Sequence, residues 1–136
     1  MNNTEIRWKQ NFNHYKKSLQ NIESVLPNID VLNELQQDGL AHRFILTTNI
    51  ALEVMQRYVA YCGYVLTEDV EDNIELLAQN GILDKIAWRN MLSVKDEFSD
   101  NEKVYTSAEY LSKTIKFLPA LRSFRNTIER EYSVQQ

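Results

Sequence analysis

Residues 91–105, with the sequence MLSVKDEFSDNEKVY, hold the side chains of this chain that are best suited to chemistry. A cation, Lys95, is followed by a run of acids that includes Asp96 and Asp100. A cation near a phosphate can stabilise developing negative charge, and a side chain beside it can accept a proton. An ordinary carboxylate stays ionised at neutral pH, however, and repels a phosphate backbone. The stretch is therefore a reactive site, the remains of one, or only a solvated helix end.

Other patterns that support catalysis or metal binding are absent from the sequence. It has no glycine-rich phosphate loop and no Gly-x-Ser-x-Gly segment. His14 and His42 have no neighbours at ligand spacing, so we expect surface histidines and no zinc or di-iron site. Cys62 ends an apolar helix without a nearby base, which predicts a buried, inert thiol. The acidic residues at 68–72 match a helix N-terminus and predict a solvated turn. We expect neither a metal nor a cofactor.

Length and composition favour one soluble domain over residues 1–136. Only three glycines and two prolines are present, which predicts long helices, since these residues mark turns. A net charge of −4 argues against nucleic acid as a partner, because phosphate binding needs clustered cations. No apolar run approaches the roughly 20 residues that cross a bilayer, and the polar start lacks the apolar segment of a signal peptide. The chain is expected to be cytoplasmic, without membrane contact.

Apolar residues recur at helical spacing along the first half of the chain. The first helix is predicted to be capped by Thr4 and to end near Leu26, before Pro27. Asp30 is predicted to cap a short helix over VLNELQQ, which Gly39 closes. Residues 40–62 are predicted to form the central helix, which is apolar around much of its girth and ends at Gly63.

The second half of the chain shows cap signals for three more helices. Thr67 is predicted to cap the third helix, which ends at the Asn-Gly pair 80–81. Asp84 is predicted to start the fourth, with an apolar face that includes Ile86. Thr106 and Glu109 form a predicted capping box for the last helix, which Pro119 should bend or divide. No strand pattern occurs, so the fold class is all-α: an antiparallel up-and-down bundle of four main helices plus a short one.

Five segments resemble, in order, the signature segments of a known family. They are RWKQNFNHYKKSLQNIE at 7–23, DGLAHRFILTTNIALEVMQRYVAYCG at 38–63, AQNGILD, AWRNML, and IKFLPALRSF at 115–124. The family comprises the nucleotidyltransferase substrate-binding subunits, which are small helical proteins of the HEPN superfamily. The resemblance covers about residues 6–128 and implies a HEPN-like bundle, in which Pro119 belongs to the closing Leu-Pro-Ala pattern.

The motif that active HEPN ribonucleases use is altered throughout in this chain. In that family Arg-Asn follows the Met-Leu pair, and His-x-Tyr comes a few residues later. The resemblance puts Lys95 and Asp96 at the Arg and Asn positions, and Asp100 and Glu102 at the His and Tyr positions. Lysine lacks the planar fork of arginine, and a carboxylate cannot replace an imidazole that changes charge near neutral pH. The resemblance therefore implies the remains of a site, without ribonuclease activity and without the tyrosine that some members have nucleotidylated.

The resemblance implies a non-catalytic subunit that partners a separate minimal nucleotidyltransferase. This chain itself lacks the glycine-serine turn and the metal-binding carboxylates that nucleotidyl transfer needs. The implied substrate or partner groove comprises Arg43, Asn49, Lys95, Asp96 and Asp100, with a nucleotide as the candidate ligand. Arg43 and Asn49 could equally be ordinary polar residues of a helix surface.

Two alternatives remain open at this stage. The chain could be a HEPN ribonuclease that acts as a toxin through a shifted active site. It could also be an interaction module whose partner is a second copy, because members of the family are commonly homodimers.

Overall fold

Helices dominate the chain, and its described residues contain no β-strand. The computed structural model describes residues 3–64, 68–99 and 105–135. The elements are α1 (Asn3–Val25), a 3-10 stretch (Leu26–Val31), α2 (Glu34–Tyr61), α3 (Val70–Gln79), α4 (Lys85–Phe98), α5 (Ser107–Thr114), a second 3-10 stretch (Ile115–Phe117) and α6 (Leu118–Gln135). The predicted all-α helical bundle is confirmed.

The first helix ends where the sequence predicts but begins earlier. Pro27 lies in the first turn of the 3-10 stretch, so the α-helical hydrogen bonds stop at Val25. The helix already includes Asn3, which places Thr4 inside its first turn. The prediction of Thr4 as the N-cap is therefore wrong.

The second helix is longer than the sequence pattern indicates. Asn33 caps it, because its side chain accepts from the Gln36 N–H at 2.8 Å and its own N–H donates to the Gln36 side chain at 2.9 Å. Gly39 continues the helix and has no positive φ. The separate short helix capped by Asp30 and closed by Gly39 is therefore wrong. A strong capping box outweighs one glycine, which costs only about 1 kcal/mol inside a helix.

Two glycines end helices in the left-handed conformation, as predicted. Gly63 has φ 89° at the end of α2, and the Tyr64 N–H beyond it donates to the Val59 carbonyl at 3.2 Å. Gly81 has φ 75° beyond α3, where the Ile82 N–H donates to a carbonyl of the last turn. A residue without Cβ adopts this conformation without steric cost, so both turns are set by local sequence.

Short polar side chains start the remaining helices. Asp84 and Thr106 cap α4 and α5, as predicted, and the Thr106 hydroxyl accepts from the Glu109 N–H at 3.2 Å. The Glu109 carboxylate accepts from that hydroxyl at 3.0 Å and not from the Thr106 N–H, so the predicted capping box is only half formed. Asp69 caps α3, since its carboxylate accepts from two backbone N–H groups. Thr67, the predicted cap, lies outside the described residues, and the prediction is wrong because the helix begins at Val70.

The last helical region is divided just before Pro119, as predicted. The 3-10 stretch Ile115–Phe117 separates α5 from α6, and the proline occupies the first turn of α6. Proline is tolerated there because the first N–H groups of a helix have no intrahelical partner.

The core is one cluster of apolar side chains around α2, which packs against α1, α3 and α5. Phe124 of α6 meets Tyr15 of α1 and Trp88 of α4, with ring centroids 5.6 Å apart in each pair. Ile86 is 68% exposed and lies outside this cluster, so its predicted place on the inner face of α4 is wrong. Within the described ranges, no helix has the length and apolarity needed to cross a membrane.

Candidate functional site

A groove of about 420 Å³ lies between α2, α4 and the start of α5. Its walls combine charged, amide and aromatic side chains. The lining residues are Asp38, Ala41, His42, Ile45, Asn49, Lys95, Phe98, Ser99 and Tyr110. This volume falls in the range of about 300–1,000 Å³ that is typical of ligand pockets.

The polar side chains come from facing helices at helical spacing. Asp38, His42 and Asn49 follow one another by four and seven residues along α2, which places them on one face. Lys95 and Ser99 are four residues apart on α4. Lys95 is half-buried and has no ion pair with any residue in 3–64, 68–99 or 105–135. Its ammonium group places a positive charge at the wall of the groove.

Aromatic rings form one end of the groove. Phe98 of α4 and Tyr110 of α5 pack edge to face, with centroids 4.6 Å apart. Tyr105 completes the cluster at 5.3 Å from Tyr110 and 5.9 Å from Phe98. Phe98 and Tyr110 thereby give the groove an aromatic surface beside the cation Lys95.

One acid of the 91–105 stretch is neutralised by neighbours from outside α4. Glu97 accepts hydrogen bonds from the Tyr105 hydroxyl at 3.1 Å and from the Lys113 ammonium at 3.3 Å. Lys113 also lies 5.1 Å from the centroid of the Tyr105 ring. The negative charge on this stretch is therefore smaller at the groove than a count of its acids indicates.

The predicted site residues divide into three groups. Asn49 and Lys95 line the same groove. Arg43 and Asp96 are exposed and do not line it. Asp100 lies outside the described residues, as does Glu102.

The sequence patterns did not reveal seven of the nine groove residues, among them Asp38, His42, Phe98 and Tyr110. The spacing of Asp38, His42 and Asn49 on one helix face was the available signal for the first two. The contribution of Tyr110 depends on the path of the chain between α4 and α5, which local patterns do not determine.

The other reactive side chains were only partly predicted. His14 and His42 are exposed, as expected of surface histidines. Cys62 is exposed as well, so its predicted burial is wrong: the helix turns at Gly63 and leaves the thiol at the surface. No three His, Cys, Asp or Glu side chains of the described ranges are placed to hold a metal ion.

No protein-family model matches this chain, and a search of curated proteins finds no match. The resemblance to nucleotidyltransferase substrate-binding subunits therefore rests on the sequence motifs.

Proposed function

We propose that this chain is a non-catalytic helical subunit, with a HEPN-like fold, that binds the substrate of a separate minimal nucleotidyltransferase in the cytoplasm. The groove between α2, α4 and α5 is the observation that carries the proposal. It brings Asn49 and Lys95 together from helices that are far apart in sequence. Both residues occupy positions at which the family resemblance implies a substrate groove.

The chemistry of the groove fits a nucleotide. Lys95 offers a positive charge to a phosphate group, and Phe98 and Tyr110 offer apolar surface to a base. Asn49 can both donate and accept hydrogen bonds at the edge of a base. Asp38 can accept a hydrogen bond from a ribose hydroxyl. These groups suffice for binding, and catalysis is assigned to the partner chain.

The proposed partnership is tested by co-expression with a minimal nucleotidyltransferase encoded beside this chain. Size-exclusion chromatography should show one stable complex at micromolar concentration. Separate elution of the two chains under those conditions would contradict the partnership.

The proposed groove is tested by titrating ATP into the purified chain and the complex. The Lys95→Ala substitution should weaken binding by roughly tenfold, which corresponds to about 1.4 kcal/mol for one charge-assisted contact. Lys116→Ala is the matched control, since Lys116 is exposed and lies away from the groove. Equal affinities of the two variants would rule out the groove as the nucleotide site.

One observation favours the ribonuclease alternative. His42 lines the same groove as Lys95, so an imidazole and a cation share a site although the altered motif itself contains no histidine. A ribonuclease would degrade RNA oligonucleotides and would lose that activity in both His42→Ala and Lys95→Ala. Intact RNA after incubation with the pure chain would exclude this alternative.

The homodimer alternative has support from exposed apolar side chains of α2, which lie on the helix face that also carries His42. Leu35 is 81% exposed and Leu46 is 40% exposed. They are eleven residues apart, which is about three helical turns, so they share one face. Light scattering should give twice the monomer mass for the wild type and the monomer mass for Leu35→Asp. A monomeric wild type would remove this alternative.

A further inference from the structure

A second cavity, of about 500 Å³, lies at the opposite end of α2 from the groove. Three tyrosines line it: Tyr58 and Tyr61 from the last turn of α2, and Tyr64 just beyond that helix. Asn80 from the end of α3 and Glu131 from α6 line the other sides. The proposed function makes no use of this cavity.

Local hydrogen bonds hold the aromatic wall in place. The left-handed turn at Gly63 directs the chain toward α3, where the Tyr64 hydroxyl donates to the Asn80 Oδ1 at 3.1 Å. The Asn80 Nδ2 in turn donates to the Leu76 carbonyl at 2.8 Å. Both ends of the amide are thereby engaged, and Tyr64 is held across the cavity from α2. The C-terminal ends of α2 and α3 therefore form the cavity together.

The electrostatic environment of the cavity is negative. Both α2 and α3 present their C-terminal ends to it, and each such end carries a partial negative charge of roughly half an elementary unit. Glu131 adds a carboxylate, and the faces of aromatic rings attract cations. No lysine, arginine or histidine of the described ranges lines the cavity.

Two groups of the cavity wall have raised pKa values. The pKa of the Cys62 thiol is raised mainly by desolvation and further by the negative charge of Glu131, which together outweigh a hydrogen bond from Tyr58 that lowers it. The pKa of the Tyr61 hydroxyl is raised mainly by desolvation, and next by Glu5, which does not line the cavity. The negative potential disfavours an anion at this site and favours a cation.

We propose that this cavity binds a small organic ammonium ion, held by the tyrosine rings and by the carboxylate of Glu131. A strongly hydrated metal cation fits less well, since Glu131 is the one carboxylate among the described residues that line the cavity. An alkylated ammonium ion carries the same charge on an apolar surface and is the ligand class that aromatic cages recognise.

The charge requirement is tested with a pair of probes that differ in one atom. Choline carries a quaternary nitrogen, and 3,3-dimethylbutan-1-ol has carbon at that position and no charge. Titration of each into the full chain, followed by NMR or calorimetry, should show saturable binding of choline and at least roughly fivefold weaker binding of the neutral analogue. Equal affinity for the two probes, or no saturation by choline, would overturn the proposal.

Variants connect choline binding to the cavity. Glu131→Gln should weaken it on the order of fivefold, whereas Glu129→Gln, which removes the same charge from another part of α6, should leave it unchanged. Tyr64→Leu should weaken binding more than Tyr64→Phe does, because phenylalanine keeps the ring that the cation contacts and loses only the hydrogen bond to Asn80. Tyr64 is 41% exposed, so both variants should keep the fold. Equal effects of the two glutamate variants would count against the cavity as the site.

Cys62 provides an independent reporter, because it is the only cysteine and it lines the cavity. A methanethiosulfonate reagent forms a mixed disulfide with its thiolate and releases methanesulfinate. The reagent that carries a trimethylammonium group should react with Cys62 several-fold faster than the one that carries a sulfonate, when each rate is divided by the rate of the same reagent on the urea-unfolded chain. Choline should slow the reaction of the trimethylammonium reagent. The raised thiol pKa affects both reagents equally, so the ratio reports the local field. A ratio unchanged by Glu131→Gln would contradict the proposed role of that carboxylate.

Discussion

The Glu23→Gln substitution should destabilise the bundle by about 2 kcal/mol, because Glu23 joins the end of α1 to α6. Its carboxylate accepts from the Arg125 Nη1 at 2.6 Å and from the Arg122 Nε at 2.8 Å. The first pair is well covered, with side chains 22% and 25% exposed, and a charged hydrogen bond of this kind contributes roughly 1.5–3 kcal/mol. Arg122 is 43% exposed, so its pair adds only about 0.2–1 kcal/mol. Glutamine keeps one acceptor oxygen, which reduces the expected loss to the lower part of this sum.

Thermal or urea unfolding followed by circular dichroism measures this effect. For a chain of this size, about 2 kcal/mol should lower the melting temperature by roughly 8 °C. Glu129→Gln is the matched control, since it removes an ion pair with Lys16 in which the glutamate is 53% exposed. That variant should differ from the wild type by less than about 1 kcal/mol.

The pH dependence of the difference provides a stricter test. Partial burial alone would raise the pKa of Glu23, but hydrogen bonds from Arg125 and Arg122 outweigh it and hold the pKa below its ordinary value of 4.5. A carboxylate whose pKa is lowered in the folded state contributes its full stabilisation at pH values above its pKa in the unfolded chain. This contribution disappears as the pH falls through its pKa in the folded protein. The wild type should therefore exceed Glu23→Gln in stability at neutral pH, and the gap should narrow as the pH falls below 4.5. A gap that is absent at pH 7, or unchanged at pH 3, would refute the assigned role of this carboxylate.

Two further predictions concern stability. Gly39→Ala should stabilise α2 by up to about 1 kcal/mol, because Gly39 has helical φ and an added Cβ meets open space. Gly81→Ala should destabilise the protein by about 1 kcal/mol, since φ is 75° at that position. Equal unfolding midpoints for the two variants would contradict this pair of predictions. Thr47→Val should cost about 1–3 kcal/mol in urea unfolding, because it leaves the Ser18 hydroxyl buried without its 2.6 Å partner. The double variant with Ser18→Ala should recover most of that loss, and a purely additive result would show that the two hydroxyls act independently.

Local signals in the sequence were sufficient for most helix ends. Asp84 and Thr106 accept hydrogen bonds from N–H groups of the helices that follow them, and Gly63 adopts a backbone conformation that other residues avoid. These effects act within four residues of one another, so a single sequence reveals them. Where two local signals competed, prediction failed: the capping box at Asn33 overrode the break expected at Gly39.

The candidate groove was only partly predictable. Asn49 and Lys95 were placed together by a family resemblance, and the structure puts them in one groove. Arg43 lies on the same helix as Asn49, yet it is exposed elsewhere on that helix. The rotation of α2 against its neighbours decides which of its polar residues face α4, and that rotation follows from the packing of the whole core.

The sequence by itself determined the all-α class, most helix boundaries and the apolar face of most helices, because periodicity and capping are short-range properties of the chain. Only the tertiary structure decided that His42 and Tyr110 share a groove with Lys95, and that the ends of α2 and α3 enclose a cavity with Glu131. Such groupings join residues that are tens of positions apart. They arise when helices pack to bury their apolar faces, and no local pattern records the resulting contacts.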